Sequence, residues 1–493
     1  MSVQIKVPEK FLYEIWKNQN INKEIFTACG EKIFVFERGI ENTETGGPDF
    51  LNARVKIGNI TYVGDVEIDN LQSDWKTHGH NLNKRYNKVI LHAILSCDSN
   101  SKFVYTQEGR KIPTVCFDSF LEEGINASLR KAIVSERENK TNKIPCHAIA
   151  ATADEKTKVD FLFELGIERF KKKCERMVHR LKELIFLSDL HLKEPVIRYE
   201  IPPNYYDKTF TVSELNKREI WEQLFHEEIF EALGYSQNKT IMMKLAQSAN
   251  IEIMRSLTHD GNVIQAYESV LFNIAGLVPD VLNLPTEEVS EYTKDITKIW
   301  SDIKGSYDGR IYDQTDWHFF RLRPLNFPTL RIAGGARVVD KILNHNLITV
   351  LVKKFTEIHN HTVLSNSVKS LLIIKADGYW AKHYVFDKEA PEDIHYLVGS
   401  SRADEIYINV ILPFMYIYFD LFGKKSLAQK VLKIFGQVNI NAENSLVTEI
   451  AESLSLHNAW KRTVIYQGMI ELFRSYCTKQ RCLDCRIGTK VFN

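Results

Sequence analysis

No stretch of the 493-residue sequence carries 18 or more consecutive apolar residues, so nothing in it is long enough to cross a bilayer as a helix. The opening MSVQIKVPEKF is too polar for a secretory signal. Cysteine is scarce. Eight residues in a chain of this length, without a secretory signal, argue against a disulfide framework and for a reducing, cytoplasmic setting. Charge of one sign is also missing: 64 Lys and Arg against 63 Asp and Glu leave a net charge of +1, so any contact with nucleic acid must come from local patches. Internal repeats and low-complexity tracts are absent. What is present, 44% hydrophobic and 26% charged residues, is the composition of a folded protein, and the length calls for two or three domains.

Two textures follow one another, and together they predict an α+β protein. Residues 9–18 space Phe11, Leu12, Ile15 and Trp16 as an amphipathic helix. Strand-like runs follow at 32–38, 53–58, 60–68, 88–96 and 112–117, separated by turn signals at Gly39, Gly46-Gly47, Gly58-Asn59 and Gly109. Residues 1–125 are therefore expected to form an α/β domain. Residues 126–210 read as linker plus a long basic helix over 157–187, the linkers being 138–146 and the proline-containing 193–208. The remainder, 211–493, reads as a helical domain, with helices at 213–233, 238–257, 262–276, 285–304, 330–357, 403–421, 425–435, 443–454 and 458–475. The basic face of the long helix (Arg169, Lys172, Lys173, Arg176, Arg180 among others) reads first as a solvated face.

The segment from Gly46 to His92 carries the chemistry. Pro48-Asp49 precedes by 18 residues the Glu67 of a strand-like run. Because strand side chains alternate, Asp65, Glu67 and Asp69 share one face. Crowded carboxylates repel unless a cation neutralises them, and burying such charge unpaired costs several kcal/mol. Asp49, Glu67 and Asp65 are accordingly the expected oxygen ligands of Mg²⁺ or Mn²⁺, with Asp69 assisting. His92 interrupts the apolar run VILHAIL and is the expected proton carrier. His78 and His80 flank Gly79 and are expected either to contact nucleic acid or, with His92, to bind Zn²⁺ in a different metallohydrolase.

At the other end, Cys477, Cys482 and Cys485 follow the spacing C-x4-C-x2-C, the last pair being that of a metal knuckle. Cys146, with His147 as the near alternative, is the expected fourth ligand, and Zn²⁺ or a [4Fe–4S] cluster would suit. Between these ends, WHFFRLRPLNFPTLRIA at 317–333 interleaves Arg321, Arg323 and Arg331 with aromatics and prolines. The arginines are expected to contact nucleic-acid phosphates, the other reading being that they pair with acidic helices.

Over roughly residues 10–120, the order helix, strand, Pro-Asp, strand, acidic strand, helix, strand resembles the PD-(D/E)XK nuclease superfamily. That resemblance implies a restriction-endonuclease-like fold and metal-dependent phosphodiester hydrolysis, with Asp49, Glu67 and Asp69 at the motif positions. The motif here is Glu67-Ile68-Asp69, so aspartate replaces the family's lysine; some branches place histidine there, and Glu14 on the first helix is a further candidate ligand. A degenerate, non-catalytic nucleic-acid-binding scaffold is the alternative that this departure leaves. The cysteine pattern resembles that of helicase-associated and CRISPR-adaptation nucleases of the same type. Across nearly the whole chain, GPDF, VEI, SDW, HxH, VILH, RPxNFPTxRIA, the YWxxHY stretch from Tyr379 to Tyr384, INVILPF from Ile408 to Phe414 and YCxxxxCxxCxIG resemble one uncharacterised bacterial family. Where that family has VEIH, this chain has Val66-Glu67-Ile68-Asp69.

Overall fold

The computed structural model describes the chain except residues 1–11, 14–15, 18–24, 43–46, 100, 118–143, 145, 147–149, 191–200, 258–261, 281–288, 320–321, 440–443, 457–458, 480 and 493. Glu14, His147 and Arg321, most of the expected linker 138–146 and half of 193–208 lie outside the described residues. The chain forms two compact units, Met1–Lys143 and Ile144–Asn493. The long helix thus belongs to the second unit rather than to a separate connecting segment.

The first unit is built on one mixed sheet of eight strands: β1 (Ile25–Phe26), β2 (Lys32–Glu37), β3 (Ile40–Glu41), β4 (Phe50–Ile57), β5 (Ile60–Leu71), β6 (Val89–Ser96), β7 (Phe103–Tyr105) and β8 (Lys111–Cys116). Their order is β1-β2-β4-β5-β6-β8-β7, with β3 beside β4. β2, β4 and β5 form an antiparallel meander, and the sheet turns parallel at β5–β6 and β6–β8. A parallel neighbour needs a crossover connection. Here it runs over residues 72–88 and carries the short helix Asp74–Thr77, so this crossover covers one face of β5.

Alternation fixes what each face does. Ile33, Val35, Val55, Ile57, Ala53, Val66, Ile68, Leu91 and Ala93 meet Leu12, Tyr13 and Trp16 in the apolar core on one side. The other face of β5 presents Asp65, Glu67 and Asp69, all buried, as alternation requires. A second small cluster, Trp75, Tyr86, Val89, Val104 and Ile112, packs beside them. A bulge interrupts the β4–β5 register between Phe50 and Ala53, where Asn52 takes a left-handed φ of 56°.

The second unit is mostly helical around one extended core. Its longest element, Glu155–Asp189, starts at the Asp154 cap, whose side chain accepts from the Thr157 amide. The basic face of this helix is not a solvated surface. Arg176 pairs with Glu228 (2.7 Å) and Glu231 (2.6 Å), Arg180 with Glu227 (2.7 Å), and Lys172 with Glu471 (2.7 Å). The partners lie on the helices Arg218–Leu233 and Thr463–Leu472. The latter crosses the long helix at a backbone-to-backbone approach. A Cβ on Gly166 would stand 2.0 Å from the Val464 carbonyl oxygen, and one on Gly468 1.9 Å from that of Leu162. Glycine is required on both sides of that crossing.

Three helices expected to be continuous are divided, the first of them, 213–233, into Val212–Leu215 and Arg218–Leu233. Residues 238–257 split into Lys239–Ser248 and Ile251–Ser256, with Asn250 capping the second. Residues 330–357 split at Asn346, whose left-handed φ of 50° opens Leu347–Glu357. Two small antiparallel pairs, the hairpin His383–Val385 with Lys388–Glu389 and the flanking pair Ile374–Lys375 with Tyr396–Val398, are the strands of this unit among the described residues.

Candidate metal centre of the first unit

Asp69 stands at the middle of the site. Its Oδ1 is 3.0 Å from His78 Nδ1 and its Oδ2 is 3.0 Å from His92 Nε2. His92 reaches it because β5 and β6 run parallel with Glu67 opposite His92. His78 and His80 reach it because Gly79, with φ of 76°, takes the left-handed conformation that reverses the chain between them. Burial pushes the Asp69 carboxyl up, but the hydrogen bonds from His78 and His92, with the His80 imidazole close by, outweigh it and hold the group well below the ordinary carboxylate range. The reciprocal hydrogen bond, with Asp69's charge, raises His78 above the usual imidazole value.

His80 is the informative residue. It is fully buried, stacked on Tyr86 with centroids 4.1 Å apart and set edge-on to Trp75 at 5.3 Å. Its Nε2 lies 3.1 Å from Glu67 Oε1 and 3.8 Å from Asp69 Oδ2. Distance alone would allow a hydrogen bond to Glu67, but the direction is wrong, and this buried nitrogen has no hydrogen-bond partner. An imidazole nitrogen turned on two carboxylates without an aligned bond to either fits a lone pair directed at a shared cation. Among the described residues, Asp69, His78 and His80 are the group whose ligand atoms all lie within 4.8 Å of one another.

The walls hold these groups in place. Trp75 Nε1 donates to the Tyr105 carbonyl at 2.9 Å, and the Trp75 ring packs 5.1 Å from that of His92. The Tyr86 hydroxyl is held protonated by burial and then by the charges of Glu67, Asp49 and Asp69. Both Glu67 and Asp49 therefore lie close enough to act on it.

The expected ligands are arranged differently from the Pro-Asp and Glu pairing read from sequence. Asp49 and Glu67 are neighbours, the Asp49 amide donating to Glu67 Oε2 at 3.0 Å. The Asp49 carboxylate, however, accepts from the Tyr13 hydroxyl and, at 3.0 Å, from the Ile68 amide, so it ties the first helix to β5. Asp65 Oδ1 accepts from the Asn52 amide at the bulge (3.0 Å), and burial raises its pKa. Neither belongs to the converging group. Asp69, expected to assist, is its centre, and His78 and His80, expected first as nucleic-acid contacts, complete it. The signal was in the sequence as His-Gly-His following an acidic strand.

The arginines of the second unit divide too. Arg323 is exposed. Arg331 is buried and spent: its guanidinium donates to the carbonyls of Leu397 and Leu325, to Asn326 Oδ1 and to the Tyr235 hydroxyl. It lies over the Tyr235 ring at 5.0 Å, and although its Nε has no hydrogen-bond partner, burial at 6% exposure closes it to a phosphate. The expectation that Arg331 binds nucleic acid is corrected: proline fixes the start of helix Pro328–Leu343 and turns this residue inward.

The chain belongs to the family described as "Protein of unknown function (DUF2851)", whose model matches residues 9–186 and 207–445. No curated protein and no solved structure matches it. No helix among the described residues is long and apolar enough to cross a membrane.

Proposed function

We propose that the first unit is a divalent-metal-dependent phosphodiesterase that cleaves DNA or RNA. The observation that carries this reading is the unpartnered His80 Nε2 facing Glu67 and Asp69, within the only converging ligand group among the described residues. An imidazole and carboxylate set suits Mn²⁺ or Zn²⁺ better than the all-oxygen sphere that Mg²⁺ prefers. The sheet supports the reaction class: Pro-Asp at the head of β4, acids on β5 and a parallel β6 follow the order that the nuclease resemblance implies.

The substrate class follows from the rest of the same face. Phe34 pairs across the sheet with Lys56, Lys56 with Thr61, and Arg54 with Val63, so these side chains share the face of Asp65, Glu67 and Asp69. Phe34 and Phe36 are 60% and 51% exposed, their rings 6.0 Å apart, and Arg54 lies 5.5 Å over Phe36. Exposed aromatic rings interleaved with cations form a surface on which unpaired bases stack while phosphates are neutralised. It leads along β5 to the metal group.

Each residue has a distinct task. Asp69, His78 and His80 hold the cation. Glu67, with Oε2 fixed by the Asp49 amide, presents Oε1 to the same point and takes the proton of the attacking water. His92 orients Asp69. A bound cation would supply Lewis acidity towards the phosphoryl oxygen and lower the pKa of water.

The test is the full-length protein with Mn²⁺, Zn²⁺ or Mg²⁺ on labelled single- and double-stranded DNA and RNA, beside Asp69→Asn. Cleavage that needs a metal and disappears in the variant is expected. Binding without cleavage under all three metals would leave only a nucleic-acid-binding scaffold and overturn the reading.

A further inference from the structure

We propose that the second unit holds a four-cysteine iron–sulfur cluster, ligated by Cys146, Cys477, Cys482 and Cys485. It would fasten the end of the chain to the entry of the long helix.

The four residues come from three separate places. Cys146 precedes the turn Ala150–Thr152, its carbonyl accepting the Ala150 amide at 2.7 Å. Cys477 closes the wide π-turn Phe473–Cys477 that ends helix Thr463–Leu472. Cys482 and Cys485 bracket a single 3₁₀ turn. The C-terminal helix Arg486–Phe492 packs on both the Ala150–Thr152 turn and the long helix, which brings the three segments together. Arg486 fixes this packing through Glu164 (2.7 Å) and the face of Phe161 (5.2 Å).

Cys146, Cys477 and Cys485 are buried in the core of this unit. The Cys485 amide donates to the Cys482 carbonyl at 3.2 Å and closes a tight turn between the two. Gly488 is forced by the same turn, since a Cβ there would stand 2.1 Å from the Cys482 carbonyl oxygen.

Spacing selects the centre. Thiolates 2.3 Å from one zinc ion stand about 3.8 Å apart. Among the described residues the group gathered within 4.8 Å is Asp69, His78 and His80, so no three of these sulfurs are collected at single-ion spacing. A four-iron cluster, which places iron and sulfide between its four cysteines, needs the wider set. The sequence left zinc and iron–sulfur open, and we take the latter because these sulfurs are not gathered at single-ion spacing.

The experiment is metal and sulfide analysis with visible absorption of the full chain purified without oxygen, alongside Cys485→Ser, Cys174→Ser and Asp69→Asn. Wild type should be brown, with about four iron and four acid-labile sulfide per chain. Cys485→Ser should lose the colour. Cys174→Ser should keep it, because Cys174 lies against the Pro413 carbonyl on the apolar side of the long helix. Asp69→Asn should also keep it, which separates this centre from the one in the first unit. A colourless wild type holding one zinc would overturn the proposal, as would a metal-free protein whose eight thiols all titrate in the native state.

Discussion

His92 Nε2 lies 3.0 Å from Oδ2 of Asp69, a bond made possible by parallel pairing between the two strands that carry them. It leaves Asp69 Oδ1 to His78 and fixes the plane of the carboxylate. Outer partners of this kind commonly account for 10–100-fold in metal affinity. His92→Gln should therefore weaken Mn²⁺ binding by about that factor while the sheet stays folded. Calorimetric titration checks it, and an unchanged affinity would remove His92 from the site.

The exposed face of β2 and β4 makes a separate claim. Phe34→Ala with Phe36→Ala should weaken binding of a single-stranded oligonucleotide by about tenfold or more, since one stacked base contributes ~1–3 kcal/mol. Mn²⁺ affinity should not move, because neither ring touches the ligand group. Anisotropy of a labelled oligonucleotide reads the first and calorimetry the second. Equal oligonucleotide affinity in wild type and variant would detach this face from substrate.

A buried histidine in the helical unit sets a pH dependence. His226 is fully buried, its Nε2 bonded to the Ala249 carbonyl at 3.1 Å, and burial lowers its pKa to about 4 against 6.5 when unfolded. Between those values the unfolded chain carries the extra proton, so acid works against the folded state. Relative to His226→Gln, wild type should lose about 3 kcal/mol as pH falls from 6.5 towards 4. Urea denaturation of both proteins across that window is the measurement. Parallel stability curves would mean the histidine does not titrate there.

Arg331 should behave as a structural hub. Arg331→Ala strips donors from two carbonyls, an amide oxygen and a tyrosine hydroxyl inside the core, a loss of about 3 kcal/mol. Arg323→Ala, at an exposed position, should stay within about 0.5 kcal/mol of wild type. Denaturation midpoints of the pair compare them directly, and similar values would contradict the assignment.

What sequence could disclose here depended on whether a signal was local. Alternation placed Asp65, Glu67 and Asp69 on one face of β5, and apolar spacing placed the long helix within two residues of its ends. The roles of those acids were not local. Whether Asp49 faces a metal or the Tyr13 hydroxyl depends on how the first helix docks, and no spacing rule reports that. Asp69 was undervalued because it sits where the resembling family has lysine, while its partners His78 and His80 arrive through a turn set by one glycine. Arg331 shows the same gap in the other unit: arginine among aromatics and prolines reads alike whether it meets phosphates or main-chain carbonyls. The breaks near Asn250 and at Asn346 escaped because the apolar pattern runs straight through them.

The notch between Gly166 and Gly468 governs alignment as well as proximity. With each backbone seated against the other, the two helices cannot slide without driving a carbonyl into a Cα. A slip of one residue would shift one helix by about 1.5 Å along its axis, whereas ligand distances tolerate about 0.2 Å. Cys477 ends the helical run that Gly468 anchors, and Cys146 precedes the helix that Gly166 anchors. Two residues with no side chains thus act as the gauge that sets how far apart two distant sulfurs stand.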